Sequence, residues 1–403
     1  MKGSDNVYRK QTLGSLNPGI LESSSPTILE KNLILLILLF IPLFCIPAGA
    51  EEKNSYHSVT GPCGFRFPKD HGPHPGYRTE WWYYTGNLKG DSDRSFGFQL
   101  TFFRRQLDPP GFEKFWPRPP SAWRTGQIYL GHAAVSDISG KKHLYAQRMA
   151  RNALNMAGVN RTDTGIELFI ENWRMRITPQ DHHLTASAED FSFNLTATPL
   201  KPPILHGDSG YSRKGSARNR ASCYYSITRL KTVGTLTING TPTAVTGISW
   251  MDHEFSSTSL EPGIVGWDWF SLQLSDKTEV MIYLLRKKDG ALSPASSGTY
   301  VDFRNDSKLL RINDLNIKVL NTWKSTFSDA VYPSGWQISI PPLSMALTVS
   351  PRFKDQEMRT SMTTGITYWE GSVSVTGTKN RKSIKGQGYV ELTGYDKPMD
   401  SPM

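Results

Sequence analysis

Apolar and polar residues alternate with a period of two over much of this chain. Phe96, Phe98, Leu100 and Phe102 alternate with Ser95, Gly97, Gln99 and Thr101, as in a strand with one buried face. Residues 234–238 alternate in the same way and run into Asn239-Gly240. An Asn-Gly pair after such a run predicts a tight hairpin, because both residues tolerate positive φ. Residues 336–340, 371–377 and 388–392 repeat the pattern. Turn signals separate the runs: Lys89-Gly90-Asp91, Ser139-Gly140-Lys141, Asp163-Thr164-Gly165 and Asp289-Gly290. No stretch keeps a helical period beyond two turns. The pattern predicts an all-β protein of many antiparallel strands. Barrels remove the open edges that such sheets otherwise expose. The length of 403 residues suits two of them, one over 51–245 and one over 246–403. Residues 199–220, rich in Pro, Gly, Ser and Arg, read as a long loop.

Residues 1–50 stand apart. Lys31 precedes an apolar run over 33–46, and Ala48-Gly49-Ala50 follows. A positive residue, an apolar core and a small-x-small site are the parts of a secretory signal peptide. The run is short for a bilayer span, which takes ~20 residues. The expectation is export to a periplasmic or extracellular space, with an uncleaved membrane anchor as the alternative.

Composition narrows the classes. Mean hydropathy is −0.41, which excludes a polytopic membrane protein. The net charge of +10 favours peripheral contact with anionic surfaces such as lipid headgroups. Without a Lys/Arg block it does not point to nucleic acid. Three cysteines cannot form a disulfide scaffold or a four-cysteine zinc site. Cys63 and Cys223 could pair in an exported protein, but nothing in the sequence sets their distance. There is no Gly-x-Ser-x-Gly elbow, phosphate-binding loop or dinucleotide fingerprint.

Four clusters carry candidate chemistry. In Glu80-Trp81-Trp82-Tyr83-Tyr84 an extended chain puts Glu80, Trp82 and Tyr84 on one face, with Trp81 and Tyr83 on the other. A carboxyl between aromatics is desolvated, which raises its pKa and suits it to donate a proton; a buried partner for an arginine is the structural alternative. In Trp250-Met251-Asp252-His253-Glu254 the face shared by Trp250, Asp252 and Glu254 excludes His253 unless the strand bulges. This triplet reads as a catalytic acid or as a polar network joining two barrels. It lacks the His pair of helical zinc sites, and no metal is expected. Trp267 and Trp269 share a face, and Tyr224-Tyr225 precede Arg229. These rings could line a pocket for an apolar ligand and stabilise a cation, or simply fill the core.

The motifs HPGYRTEWWYYTGNL, GHAAVSD, KPPILHGDSGYSRKG, YYSITRL, GTLTING and GISWMDHEFSS…GWDWFSLQL together resemble the secreted lipocalin-like proteins related to carotenoid 1,2-hydratase, also called AttH-like proteins or predicted secreted hydrolases. The resemblance covers roughly residues 74–392. It implies two lipocalin-like β-barrel domains and a pocket for a hydrophobic small molecule, an isoprenoid or lipid. It also implies a hydro-lyase that adds water across a C=C bond with no cofactor or metal. On that reading Asp252 matches the essential acid, Glu80 is a second candidate, and His253 or Glu254 would orient the acid or the water. Trp250 and Tyr225 would flank the cation; Tyr224, Trp82, Tyr84, Trp267 and Trp269 would complete the ligand pocket. Two alternatives stay open: a non-enzymatic carrier working beside an ABC-type exporter, and a secreted hydrolase.

Overall fold

The computed structural model describes residues 55–399 apart from 92 and 163. The leader at 1–50, on which the expectations of a signal peptide, export and an anchor rest, lies outside that range. Among the described residues no helix is long and apolar enough to cross a membrane.

The first sheet begins with β1 (Thr79–Lys89), β2 (Ser95–Gln106), β3 (Gln127–Asp137), β4 (Lys142–Arg151), β5 (Ala157–Thr162) and β6 (Gly165–Ile170). It continues through β7 (Trp173–Ile177), β8 (His182–Ser187), β9 (Phe191–Pro199), β10 (Ile204–Leu205), β11 (Tyr211–Arg213), β12 (Ala221–Ile238) and β13 (Thr241–Ser256). Its order is β4-β3-β2-β1-β13-β12-β9-β8-β7-β6-β5, every pair antiparallel. β4 lies against β5 and β6, so the sheet curls into a nearly closed barrel. The second sheet takes β14 (Ile264–Leu274), β15 (Glu279–Lys287), β16 (Ser297–Val301), β17 (Ser307–Arg311) and β18 (Asn316–Val319). After a separate pair, β19 (Thr322–Lys324) and β20 (Val331–Pro333), it adds β21 (Trp336–Ile340), β22 (Met345–Pro351), β23 (Glu357–Arg359), β24 (Thr367–Lys379) and β25 (Lys382–Leu392). The protein is thus all-β, with two lipocalin-like antiparallel β-domains.

Local chemistry accounts for several of these elements. Asn239 and Gly240 adopt φ of 48° and 77° and join β12 to β13 by the two-residue turn that their sequence favours. That hairpin is long, with strands of 18 and 16 residues. The chain changes sheets between Ser256 and Ile264, whereas Val245 lies inside β13. The stretch 199–220 is not wholly irregular: β10 and β11 both pair with β12. Cys63 and Cys223 form a disulfide that fastens the segment before β1 to β12.

Alternation gives every strand near the domain boundary two different faces. The barrel interior takes Trp82, Tyr84, Phe98, Leu100, Tyr225 and Met251. The core of the second sheet includes Phe270, Leu272, Ile282, Trp336 and Val390. A third apolar cluster lies between the sheets, with Tyr83, Tyr224, Trp250, Trp269, Tyr283 and Tyr389. The candidate site is set into this third cluster.

Candidate functional site

The register of the barrel sheet builds one wall. Tyr83 on β1 pairs with Asp252 on β13, which pairs with Ser226 on β12. On the next outward-facing rung Trp81 pairs with Glu254 and Glu254 with Tyr224. Thr101 and Phe103 extend these rungs into β2, and His132 on β3 pairs with Thr101. Side chains on one face recur every second residue, so these strands present Asp252, Glu254, Tyr83, Trp81, Tyr224 and His132 together. The second sheet supplies the opposite wall, where Trp269 on β14, Glu391 on β25 and Glu370 on β24 lie in one row. Between the walls is a cavity of about 70 Å³ lined by residues from both domains, among them Asp252, Glu254, Trp267, Trp269, Glu370 and Glu391.

Asp252 is held by three donors. Tyr224 donates to Oδ2 at 2.6 Å, Trp250 Nε1 donates to Oδ1 at 2.6 Å, and Ser226 donates to Oδ1. Burial raises its pKa to about 7 in spite of these bonds, with the charge of Glu254 adding to the rise. Burial also raises Glu391 to about 7, against a 2.9 Å bond from Trp267 Nε1. Burial and then the Glu391 charge push Glu370 well above the usual carboxylate range. Glu370 accepts a 2.6 Å bond from the Tyr83 hydroxyl at Oε1, while its buried Oε2 has no partner among the described residues. Glu254 lies 2.7 Å from the Lys214 ammonium. The chamber therefore holds several carboxyl groups that ionise reluctantly, beside the indoles of Trp81, Trp267 and Trp269.

The opposite face of the same strands carries a separate network. Glu80 is completely buried. Its Oε1 accepts from His253 Nε2 at 2.8 Å and His74 Nδ1 at 2.7 Å, and its Oε2 accepts from Arg104 Nε and the His74 backbone at 2.9 Å each. Burial alone would raise its pKa, but the Arg104 charge and the histidine bonds outweigh it and hold Glu80 below the usual range. Glu80 is thus an ionised partner for arginine, the structural alternative open at the sequence level, and is unsuited to donate a proton. With its Nε2 proton given to Glu80, His253 accepts from the Tyr225 hydroxyl through Nδ1 at 3.0 Å. Tyr225 in turn lies 2.7 Å from His71 Nδ1. Burial lowers His253 to about 4, so its ring is neutral.

Of the residues singled out from sequence, the structure brings Asp252, Glu254, Trp250, Tyr224, Trp267 and Trp269 together around the chamber. It places Glu80, His253, Trp82, Tyr84 and Tyr225 on the barrel-interior side. Trp82 stacks on His253 with centroids 4.6 Å apart, and the Tyr84 hydroxyl contacts His182 Nδ1 at 2.7 Å. β13 has no register shift against β1, so His253 cannot turn to orient Asp252, and Tyr225 cannot flank a cation there. His74, Glu80 and His253 do put potential metal-ligand atoms within 4.8 Å of one another. Arg104 is bonded to Oε2 of the same carboxylate, however, and its fixed positive charge opposes a metal ion beside Oε1.

Glu370, Glu391, Ser226 and His206 are site residues that the sequence reading missed. Glu370 follows Tyr368 and Trp369 and Glu391 follows Tyr389; a carboxylate in an aromatic strand was the available signal. His206 contacts Ser226 Oγ through Nε2 at 2.6 Å and Thr299 Oγ1 through Nδ1 at 2.8 Å. The order His206–Ser226–Asp252 puts the serine in the middle, unlike a hydrolase triad, in which histidine bridges serine and acid.

The AttH-like family profile matches residues 58–395. Kievitone hydratase of Fusarium solani subsp. phaseoli is 23% identical over 215 residues, which make up 51% of this chain and 58% of that enzyme. The similarity therefore spans less than two thirds of that relative's length. A solved AttH from Nitrosomonas europaea is 31% identical, with a TM-score of 0.74 over 84% of this chain and 99% of that one. The structure of kievitone hydratase from Nectria haematococca matches 85% of this chain and 97% of its own at a TM-score of 0.64 and 14% identity, a likeness of fold. By the extent of these matches, this chain belongs to the AttH-like family.

Proposed function

We propose that this protein is an exported hydratase that adds water across a carbon–carbon double bond of an isoprenoid or other apolar ligand, with Asp252 as the acid. The observation that carries this reading is the setting of Asp252, a buried carboxyl met by three hydrogen-bond donors. Burial keeps its carboxyl protonated up to about pH 7, yet three donors already surround the carboxylate it would become. A proton can then leave without waiting for its surroundings to reorganise.

The proton of Asp252 would pass to the less substituted alkene carbon. A C–H bond forms as the π bond breaks, leaving positive charge on the more substituted carbon. The faces of Trp81, Trp267 and Trp269 supply electron density near that charge. Water then joins the cationic carbon through oxygen, and the proton it sheds returns to the Asp252 carboxylate. The free Oε2 of Glu370 is suited to hold that water. A chamber of about 70 Å³ is far below the ~300–1,000 Å³ of whole-ligand pockets. It suits the reacting end of a ligand and not the whole of a long one. A named hydratase among the relatives supports the same reaction class, and the disulfide suits an oxidising compartment.

The test is incubation with prenylated alkenes in H₂¹⁸O, read by mass spectrometry. The expected result is one added water carrying the label in the wild type and none in Asp252→Asn. Tight alkene binding without any product in the wild type would replace this reading with carriage.

A further inference from the structure

A second cavity of about 120 Å³ adjoins the acid chamber, and Trp81, Glu254 and Trp267 line both. The two are successive compartments of one cleft with these three side chains as the partition. Their chemistry differs. The inner compartment gathers carboxyl groups. The outer one is lined by the apolar side chains of Leu260, Tyr283, Leu285 and Met399 and by Arg78, Arg105 and Lys214.

These three cations are not equally satisfied. Lys214 is paired with Glu254. Arg78 and Arg105 have no carboxylate partner among the described residues. Arg78 Nε is buried with no hydrogen-bond partner among the described residues, while its guanidinium lies over the Tyr56 ring at 5.7 Å. Arg105 donates to the Thr79 hydroxyl at 3.1 Å. Partial burial, and then the neighbouring Arg78 charge, lower the pKa of Arg105. Two neighbouring guanidinium groups with no carboxylate partner among the described residues are an arrangement that an anion would stabilise. Ser256, Ser257, Thr258 and Ser259 rim the same cavity and add short polar side chains.

We propose that Arg78 and Arg105 form an anion-binding subsite at the outer end of the cleft, and that the ligand is amphipathic: a carboxylate or phosphate head held by the two arginines and an unsaturated apolar tail reaching past Trp81 and Trp267 to Asp252. This deepens the hydratase reading and, as to the tail's fate, rests on it; the head-group contact does not.

Farnesoic acid, farnesyl monophosphate and farnesol share one tail and differ in head. Their affinities for the intact protein can be measured by quenching of tryptophan fluorescence. The wild type is expected to bind either anion at least about tenfold more tightly than the alcohol, with the gap shrinking at high salt. Arg78→Gln/Arg105→Gln should lose about tenfold for the anions and stay within about twofold for farnesol; Arg105→Gln alone, should the double variant misfold, should lose part of that preference. The stronger of the two anions identifies the head. Asp252→Asn should keep the preference intact. Equal affinity of wild type for acid and alcohol, or a preference that survives loss of the arginines, would overturn the subsite. A clear anion preference with no hydration of any farnesyl compound would sustain the subsite while removing the hydratase reading.

Discussion

Asp252 and Glu80 are both buried carboxyls, and their surroundings drive them to opposite states. Asp252 has hydrogen-bond donors but no cation paired with it among the described residues, so desolvation prevails and it stays protonated up to about pH 7. Turnover should therefore be sustained on the acid side and fall as pH rises through about 7, and the pH–rate profile of the wild type checks this. Asp252→Asn should lower turnover by ~10²–10⁴-fold, the usual worth of a general acid, with the circular dichroism spectrum preserved. Stability follows from the same shift. Folded Asp252 holds a proton that the unfolded chain releases at the ordinary aspartate pKa of ~3.9. Its contribution is thus present at low pH and is lost as pH rises from about 4 to about 7. Denaturant titrations across that window should show a shallower decline in Asp252→Asn. Glu80 has Arg104 at 2.9 Å and stays ionised. Glu80→Gln would leave a buried guanidinium without its counter-charge, at a cost of about 3–5 kcal/mol, read from the shift in denaturation midpoint.

At the scale of the strand, alternation makes β1 and β13 partitions with different chemistry on each side. Glu80, Trp82 and Tyr84 enter the barrel, while Trp81 and Tyr83 enter the cleft; His253 and Asp252 divide in the same way. This division is legible in the sequence, because an extended chain alternates its side chains between two faces. The sequence could not show whether one or both faces were buried, and both are. The sheets also approach closely at Gly97 on β2, where a Cβ would overlap the hydroxyl of Tyr389 on β25. Gly97→Val should force the sheets apart and destabilise the protein by about 1–3 kcal/mol, as overpacking does. Thermal denaturation would show it, and an unchanged melting temperature would mean that the interface yields freely.

At the scale of the molecule, the acid chamber belongs to neither domain. Its floor is the barrel sheet and its roof is the row Trp269–Glu391–Glu370 of the second sheet. Polar bonds cross between the sheets around it. Tyr83 donates to Glu370, Trp269 Nε1 donates to Tyr224 at 3.0 Å, and Gln273 donates to the carbonyls of Thr228 and Ser249. On β12, Thr228 and Arg229 stand at an irregularity in the pairing with β13, and Arg229 reaches Glu279 of the second sheet at 2.6 Å. On the far side of β12, the Cys63–Cys223 bond spans 160 residues of sequence. Cys63→Ser/Cys223→Ser should lower stability by about 2–5 kcal/mol, measured by denaturant unfolding against the oxidised wild type.

The sequence by itself determined the strands, the Asn239-Gly240 turn and the sorting of neighbouring side chains onto opposite faces, because these depend on a period of two and on local backbone preference. It also marked Asp252 and the indoles of Trp250, Trp267 and Trp269 as candidates, but in one group with Glu80, His253, Trp82, Tyr84 and Tyr225, which lie on the other face. Tertiary structure alone decided which carboxyls share a chamber. Glu370 and Glu391 lie more than a hundred residues from Asp252 in the chain, and only the pairing of β24, β25 and β14 carries them to its face. It likewise decided that Glu80 is ionised and Asp252 is not, since that depends on whether a guanidinium from another strand lies within reach.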